Sequence, residues 1–281
     1  MIIAVASGKG GTGKTTVSVA LALSSTRPVQ LLDCDVEEPN CDIFLNSEMT
    51  RTETVTVPVP VVEQSKCTGC GECSRICQFN AIVVLGKKVL IFNEMCHSCG
   101  GCMRVCPEGA ISEVDNRIGV LEIGESRGVD FVYGRLDVGQ AMSPPLIKAV
   151  KKRADADNEK MVIIDSPPGT SCPVIASVRD SDFIILVTEP TPFGLHDLKL
   201  AVETVRELGI PFGVVINRAG IGDDRVLQYC RDEKILILTA IQDDRRIAEA
   251  YSRGETLIDS IPELKDEFAD LLNGIISGMI R

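Results

Sequence analysis

Over most of the chain, nearly unbroken apolar runs alternate with longer stretches of mixed polarity. Met1-Ile2-Ile3-Ala4-Val5-Ala6, Val29-Gln30-Leu31-Leu32 and Met161-Val162-Ile163-Ile164 are three such runs, and 183–187, 212–216 and 235–238 repeat the form. Runs of this kind, separated by segments long enough for helices such as 195–208, predict parallel strands buried on both faces. The fold class expected is therefore α/β, a parallel sheet with helices on both faces. Ligands in such sheets bind at the carboxyl ends of the strands. Those ends carry Ser7-Gly8-Lys9-Gly10-Gly11-Thr12-Gly13-Lys14-Thr15-Thr16 after the first run, Asp33-Cys34-Asp35 after the second and Asp165 after the third.

From about 61 to 116 the pattern changes to short segments, many glycines and closely spaced cysteines, with no helix of ordinary length. Strands of the parallel type resume only afterwards, at 129–133. A small α+β domain inserted at 61–116 into a larger one made of 1–60 and 117–281 accounts for this. Near the C-terminus Leu264, Phe268, Leu271, Leu272, Ile275 and Met279 recur at helical spacing and predict a helix packed on the domain. Only Arg281 follows that stripe, where a helix lying on a membrane surface carries several basic residues. The charged, Ala-rich run 151–160 reads as a solvated helix end or loop.

At 281 residues with 44% hydrophobic and 25% charged side chains, the chain can bury a sizeable core without disulfides. Its net charge of −11 speaks against a basic nucleic-acid coat. No apolar run reaches the ~18 residues of a membrane helix. Lys9 and Lys14 before the apolar 17–23 stretch imitate a signal peptide, but the glycine loop explains them better, so a cytoplasmic, reduced chain is expected. The outlying feature is 12 cysteines beside no Trp and three Tyr, with eight of the twelve between Cys67 and Cys106.

Gly8-x4-Gly13-Lys14-Thr15 satisfies the phosphate-loop pattern, and a strand before it and a helix after it supply the required context. Gly8, Gly10, Gly11, Thr12, Gly13 and Thr16 would turn backbone N–H groups onto phosphate oxygens at a helix N-terminus. Lys14 would reach the β- and γ-phosphates of a nucleoside triphosphate, and Thr15 and Asp165 would serve Mg²⁺. With the second lysine, Lys9, the loop resembles that of the deviant Walker A ATPases, the group of ParA, MinD, the nitrogenase iron protein and the Mrp-type iron–sulfur carriers. The resemblance implies a nucleotide-dependent homodimer in which Lys9 reaches the partner's phosphates. It also implies that Asp35 positions or deprotonates the attacking water, that Asp165-Ser166-Pro167-Pro168-Gly169-Thr170 is a nucleotide-sensing segment, and that Asn217 contacts adenine. Asp33 is then a group behind the metal or one that holds the loop. Family members often carry a proline early in the later adenine loop, where this chain reads Ile241-Gln242-Asp243-Asp244.

Cys67-x2-Cys70-x2-Cys73-x3-Cys77 and Cys96-x2-Cys99-x2-Cys102-x3-Cys106-Pro107 repeat one spacing. Zinc also takes four thiolates, but its sites seldom use three cysteines at this spacing followed by a fourth. The pattern resembles the dicluster ferredoxins, which implies two [4Fe–4S] clusters with crossed ligands. One would take Cys67, Cys70, Cys73 and Cys106, and the other Cys96, Cys99, Cys102 and Cys77. Gln78 stands where a ferredoxin often has Pro. Cys34, Cys41 and Cys230 read as core residues, His97 as a solvent-side neighbour and His196 as structural. Cys172 is a structural or switch-linked thiol; a cluster on the dimer axis would need a second cysteine near 134–145, and none is there.

Over nearly its whole length the chain resembles MinD-like ATPases with an inserted ferredoxin domain, relatives of the ATPases linked to the orange protein complex. That implies an Mg-ATPase whose nucleotide state gates electron transfer through two clusters to a redox or metallocofactor protein. Two other readings stand beside it: an iron–sulfur carrier or assembly ATPase of the Mrp type, and a positioning protein like ParA or MinD. The missing basic surface and basic C-terminal helix argue against DNA or membrane as a track. Two oxidised clusters would add about four negative charges, so a docking partner would present a basic face.

Overall fold

The structure, a computed structural model, describes residues 1–154 and 160–280. The centre of the 151–160 run and Arg281 lie outside the described residues. Eleven strands are found among these residues: β1 (Ile2–Ala6), β2 (Val29–Asp33), β3 (Glu48–Val62), β4 (Ile82–Leu85), β5 (Lys88–Ile91), β6 (Ile111–Ser126), β7 (Val129–Leu136), β8 (Met161–Asp165), β9 (Phe183–Thr188), β10 (Phe212–Ala219) and β11 (Ile237–Gln242). Nine form one sheet in the order β11-β10-β9-β1-β8-β2-β7-β6-β3. All pairings from β11 to β7 are parallel. The chain divides into two compact units, one of 1–52, 121–135 and 147–281, the other of 53–120 and 136–146.

In the first unit the central strands are buried along their whole length, as their unbroken apolar sequences require. The helix Lys14–Ser24 has no acidic residue in its first turn, and Val17 to Ala22 are all buried. It shares a core with β1, β2, β8, β9 and the C-terminal helix Leu264–Ile276, whose Phe268, Leu271, Leu272 and Ile275 face inward. Met279 departs from the stripe and is 86% exposed, because the helix has ended at Ile276. The strand expected at 235–238 forms two residues later, at Ile237–Gln242, after a turn in which the Ile235 N–H donates to Cys230 O. His196, read as structural, is exposed on the helix Pro192–Leu208.

After the insert, β7 is the first strand that pairs in parallel, with β2, as expected at 129–133; the nine-stranded sheet also takes in β6 and β3, which precede it. These two escaped notice because they are long and largely polar. Thr52-Glu53-Thr54-Val55-Thr56-Val57 alternates, as a strand with one wet face does. The edge position of β3 also tolerates Pro58 and Pro60.

The second unit has a hairpin, with Ile82 opposite Ile91 in antiparallel β4 and β5. It also has two helices of five residues, Glu72–Ile76 and Gly101–Val105. Each follows a glycine in the left-handed region, Gly71 at φ 81° and Gly100 at φ 67°. Helices this short do not persist on their own. Here Cys73 and Cys102, one from each, are buried with Ile82, Val89 and Ile111 in a small core.

Candidate functional site

At the carboxyl ends of the parallel strands in the first unit lies an open cleft. It is lined by Gly10, Gly11, Gly13, Lys14, Thr15, Thr16, Asp35 and Asn217, all singled out above. Gly8 and Thr12 stand behind it: a Cβ on Gly8 would lie 2.2 Å from Asp197 O, and Thr12 is buried. Lys9 also points elsewhere, its Nζ 3.7 Å from a Glu189 carboxylate oxygen. Gly13 takes φ 93°, and a Cβ there would meet Asn217 Nδ2 at 2.2 Å, the atom that donates 2.9 Å to Thr12 O. Gly13→Ala combines a left-handed backbone with a clash, so a loss of at least about 1 kcal/mol is expected. Thermal denaturation should register it as a fall of roughly 2–4 °C or more; an unchanged midpoint would refute this packing.

The parallel register sets Asp33 beside Asp165 at neighbouring strand ends. Thr15 Oγ1 and Ser18 Oγ donate 2.8 Å each to the two carboxylate oxygens of Asp165. Burial lifts Asp165 above the ordinary carboxylate range, against the pull of Lys14 and of these hydrogen bonds. Asp33 accepts backbone N–H groups of Asp35, Asn40 and Cys41 at 3.0–3.1 Å, which makes it a loop-holding group. Burial, then the neighbouring Asp165, raises it as well. Asp35 is half-buried at the cleft and is pushed up to about 7 by burial and then by Asp165, with Lys14 opposing. A hydroxyl and a carboxylate side by side are hard oxygen donors of the kind Mg²⁺ takes. Asp165 itself is buried behind the cleft wall, reaching it through Thr15. The hydroxyls of Thr12 and Ser166, next in sequence to Gly13 and Asp165, are buried and make no hydrogen bond among the described residues.

Cys41 is buried as expected of a core residue, yet its Sγ lies 3.5 Å from Asp165 Oδ2, closing a cluster with Asp33 and Asp165. Nothing in its sequence context signals that position. The far wall of the cleft was also missed. Arg218, Gln242, Asp243 and Asp244 continue it, and Ile247, Ala248 and Tyr251 reach it from the helix Arg245–Ser252. The only sequence hint was the place of Gln242 to Asp244 in the later loop.

In the second unit Cys67, Cys70, Cys73 and Cys106 line one cavity, and Cys77, Cys96, Cys99 and Cys102 line another. Each draws three thiols from one run and the fourth from the other. One thiol per cavity is exposed, Cys70 or Cys99, and one is buried, Cys73 or Cys102. Four soft donors around one space suit an iron–sulfur cluster by their chemistry. The rims differ: Phe79 and His97 stack with ring centroids 3.4 Å apart at the second cavity, whereas Glu108 and Thr68, at the corresponding positions of the repeat, border the first. Cys34 and Cys230 are buried, and Cys172 is exposed at the start of the helix Cys172–Val178.

A family model for the CobQ/CobB/MinD/ParA nucleotide binding domain matches residues 3–258. An uncharacterized protein of Methanocaldococcus jannaschii is 30% identical over 281 residues, covering 99% of this chain and 98% of that one. An iron–sulfur cluster carrier protein of Aquifex aeolicus is 26% identical, covering 93% of this chain and 63% of the carrier. Among solved structures, the septum site-determining protein MinD of Pyrococcus horikoshii, complexed with Mg-ADP, has the same fold. Its TM-score is 0.59 at 20% identity, over 100% of this chain and 98% of that one. No helix among the described residues is long and apolar enough to cross a membrane.

Proposed function

Because the chain belongs to the CobQ/CobB/MinD/ParA family of nucleotide-binding domains, as a P-loop ATPase of the MinD and ParA type, we propose that it is an Mg-ATPase. We further propose that its 61–116 insert is a ferredoxin domain with two [4Fe–4S] clusters, and that its nucleotide state governs what those clusters do at a partner. The observation that carries the cluster reading is the sorting of eight cysteines into two cavities of four, each set drawn from both runs.

In the nucleotide cleft, Lys14 would bind the β- and γ-phosphates, and Gly10 to Thr16 would offer backbone N–H groups. Thr15 and Asp165 would hold Mg²⁺, which when bound offsets charge on the phosphates. Asp35 would hold a water against the γ-phosphorus and take its proton as the bond to ADP breaks. Asn217, tied to Thr12 O, would carry the phosphate loop's position to the adenine. Two copies of the chain would close around the nucleotides, with Lys9 of each reaching across.

Four cysteines per cavity support clusters that stay in place and relay electrons to a redox or metallocofactor protein. A specific observation favours a second reading: the Aquifex relative is named an iron–sulfur cluster carrier, which supports delivery of clusters. One experiment divides them. The reconstituted, reduced protein is mixed anaerobically with an oxidised ferredoxin or with an apo-ferredoxin, each with ATP, ADP or no nucleotide. Electron transfer that depends on nucleotide, with iron retained, is the result expected of a relay. Iron passing to the apo-ferredoxin would replace it with the carrier, and equal rates in all three nucleotide states would sink the coupling.

A further inference from the structure

Glu189 follows β9 and is only 7% exposed, yet it faces two cations. Lys9 Nζ is 3.7 Å from one carboxylate oxygen, and an Arg218 guanidinium nitrogen is 3.3 Å from the other. Arg218 also reaches Asp243 Oδ1 through Nε at 3.1 Å, so its guanidinium bridges two carboxylates. It does so at φ 55°, a left-handed backbone that a non-glycine residue keeps only where its surroundings hold it. Arg218 and Asp243 line the nucleotide cleft, whereas Lys9, with a side chain 31% exposed, does not.

A buried carboxylate stripped of its only cation is strongly unfavourable. Glu189 is not in that position, since either cation can leave while the other still compensates it. The geometry shows which one is free to go. Arg218 is a planar fork fixed at two acceptors, while Lys9 is a point charge on a flexible stem at the longer distance. We propose that Glu189 positions Lys9 in the resting chain, that Arg218 sets how tightly it is held by sharing the carboxylate, and that pairing of two copies begins with Lys9 leaving Glu189. This rests on the proposed role of Lys9 across a nucleotide-dependent dimer.

The test is the dissociation constant of the dimer, measured by analytical ultracentrifugation of the full chain with a non-hydrolysable ATP analogue. Glu189→Gln should tighten the dimer by roughly two- to fivefold, the worth of one partly exposed ion pair. Arg218→Gln leaves Glu189 to Lys9 alone and should loosen it by a similar factor. The double variant should be as tight as Glu189→Gln, because without the carboxylate Arg218 has nothing to share. Glu189→Asp, which keeps the charge, should lie close to the wild type and controls for folding. A dimer no tighter in Glu189→Gln, or a double variant as loose as Arg218→Gln, overturns the proposal. A wild-type chain that stays monomeric with the analogue overturns the dimer reading on which it rests, and so the two failures are distinct.

Discussion

Replacing Cys106 with Ser is expected to remove the cluster of Cys67, Cys70 and Cys73, the run that lies 33 to 39 residues upstream in sequence, and to spare the cluster of its own run. Iron should fall from about eight to about four per chain, with Cys77→Ser giving the converse loss. Pairs of substitutions separate crossed from uncrossed ligation. If the cavities report the ligand sets, Cys67→Ser with Cys106→Ser strikes one site twice and leaves about four iron, whereas Cys67→Ser with Cys77→Ser strikes both and leaves almost none. Uncrossed runs would give the reverse. The effect is large because a cluster held by three thiolates and a weakly donating hydroxyl loses a quarter of its bonds at once. It reads directly on the second unit, since the cavity walls come from that unit alone.

The cysteine spacing was readable because ligand chemistry is local: each run carries its first three thiols within seven residues of chain. The phosphate loop was readable for the same reason, as were strands whose two buried faces leave no polar position. What could not be read depends on contacts distant in sequence. Cys41 meets Asp165 only because β2 and β8 pair in register, and Tyr251 reaches the cleft only because the helix Arg245–Ser252 is laid beside it. Glu189 looks like any acid after a strand until the side chains of Lys9 and Arg218, 180 and 29 positions away, arrive at its two oxygens. β3 and β6 failed for another reason. β3 alternates Thr with Glu and Val, the mark of a half-wet strand, and the first half of β6 is polar and exposed, so neither shows the unbroken apolar run of a strand buried on both faces.

Asp35→Asn should lower ATP hydrolysis by about 10²- to 10⁴-fold, the range for loss of a general base, while binding of a non-hydrolysable analogue changes little. The wild-type pH profile sharpens this. Burial and the neighbouring Asp165 push Asp35 up to about 7 from an ordinary 3.8, and a base acts only when deprotonated. kcat/KM should therefore climb about tenfold per pH unit below about 7 and level off above it. The same shift has a consequence for stability. A carboxyl whose pKa is higher in the folded chain than in the unfolded one favours folding at low pH, and that advantage is lost as pH rises from about 4 through about 7. Above that window the folded chain carries a half-buried charge it would be more stable without, and an amide there carries none. Nucleotide-free Asp35→Asn should thus melt at a higher temperature than wild type at pH 8, with the gap closing towards pH 4. A gap that does not move with pH would mean that Asp35 is not raised, and a variant both inactive and less stable at pH 8 would make it a structural residue. The expected combination, hydrolysis lost and stability gained, is what a group held in an unfavourable charge state for its chemistry should give.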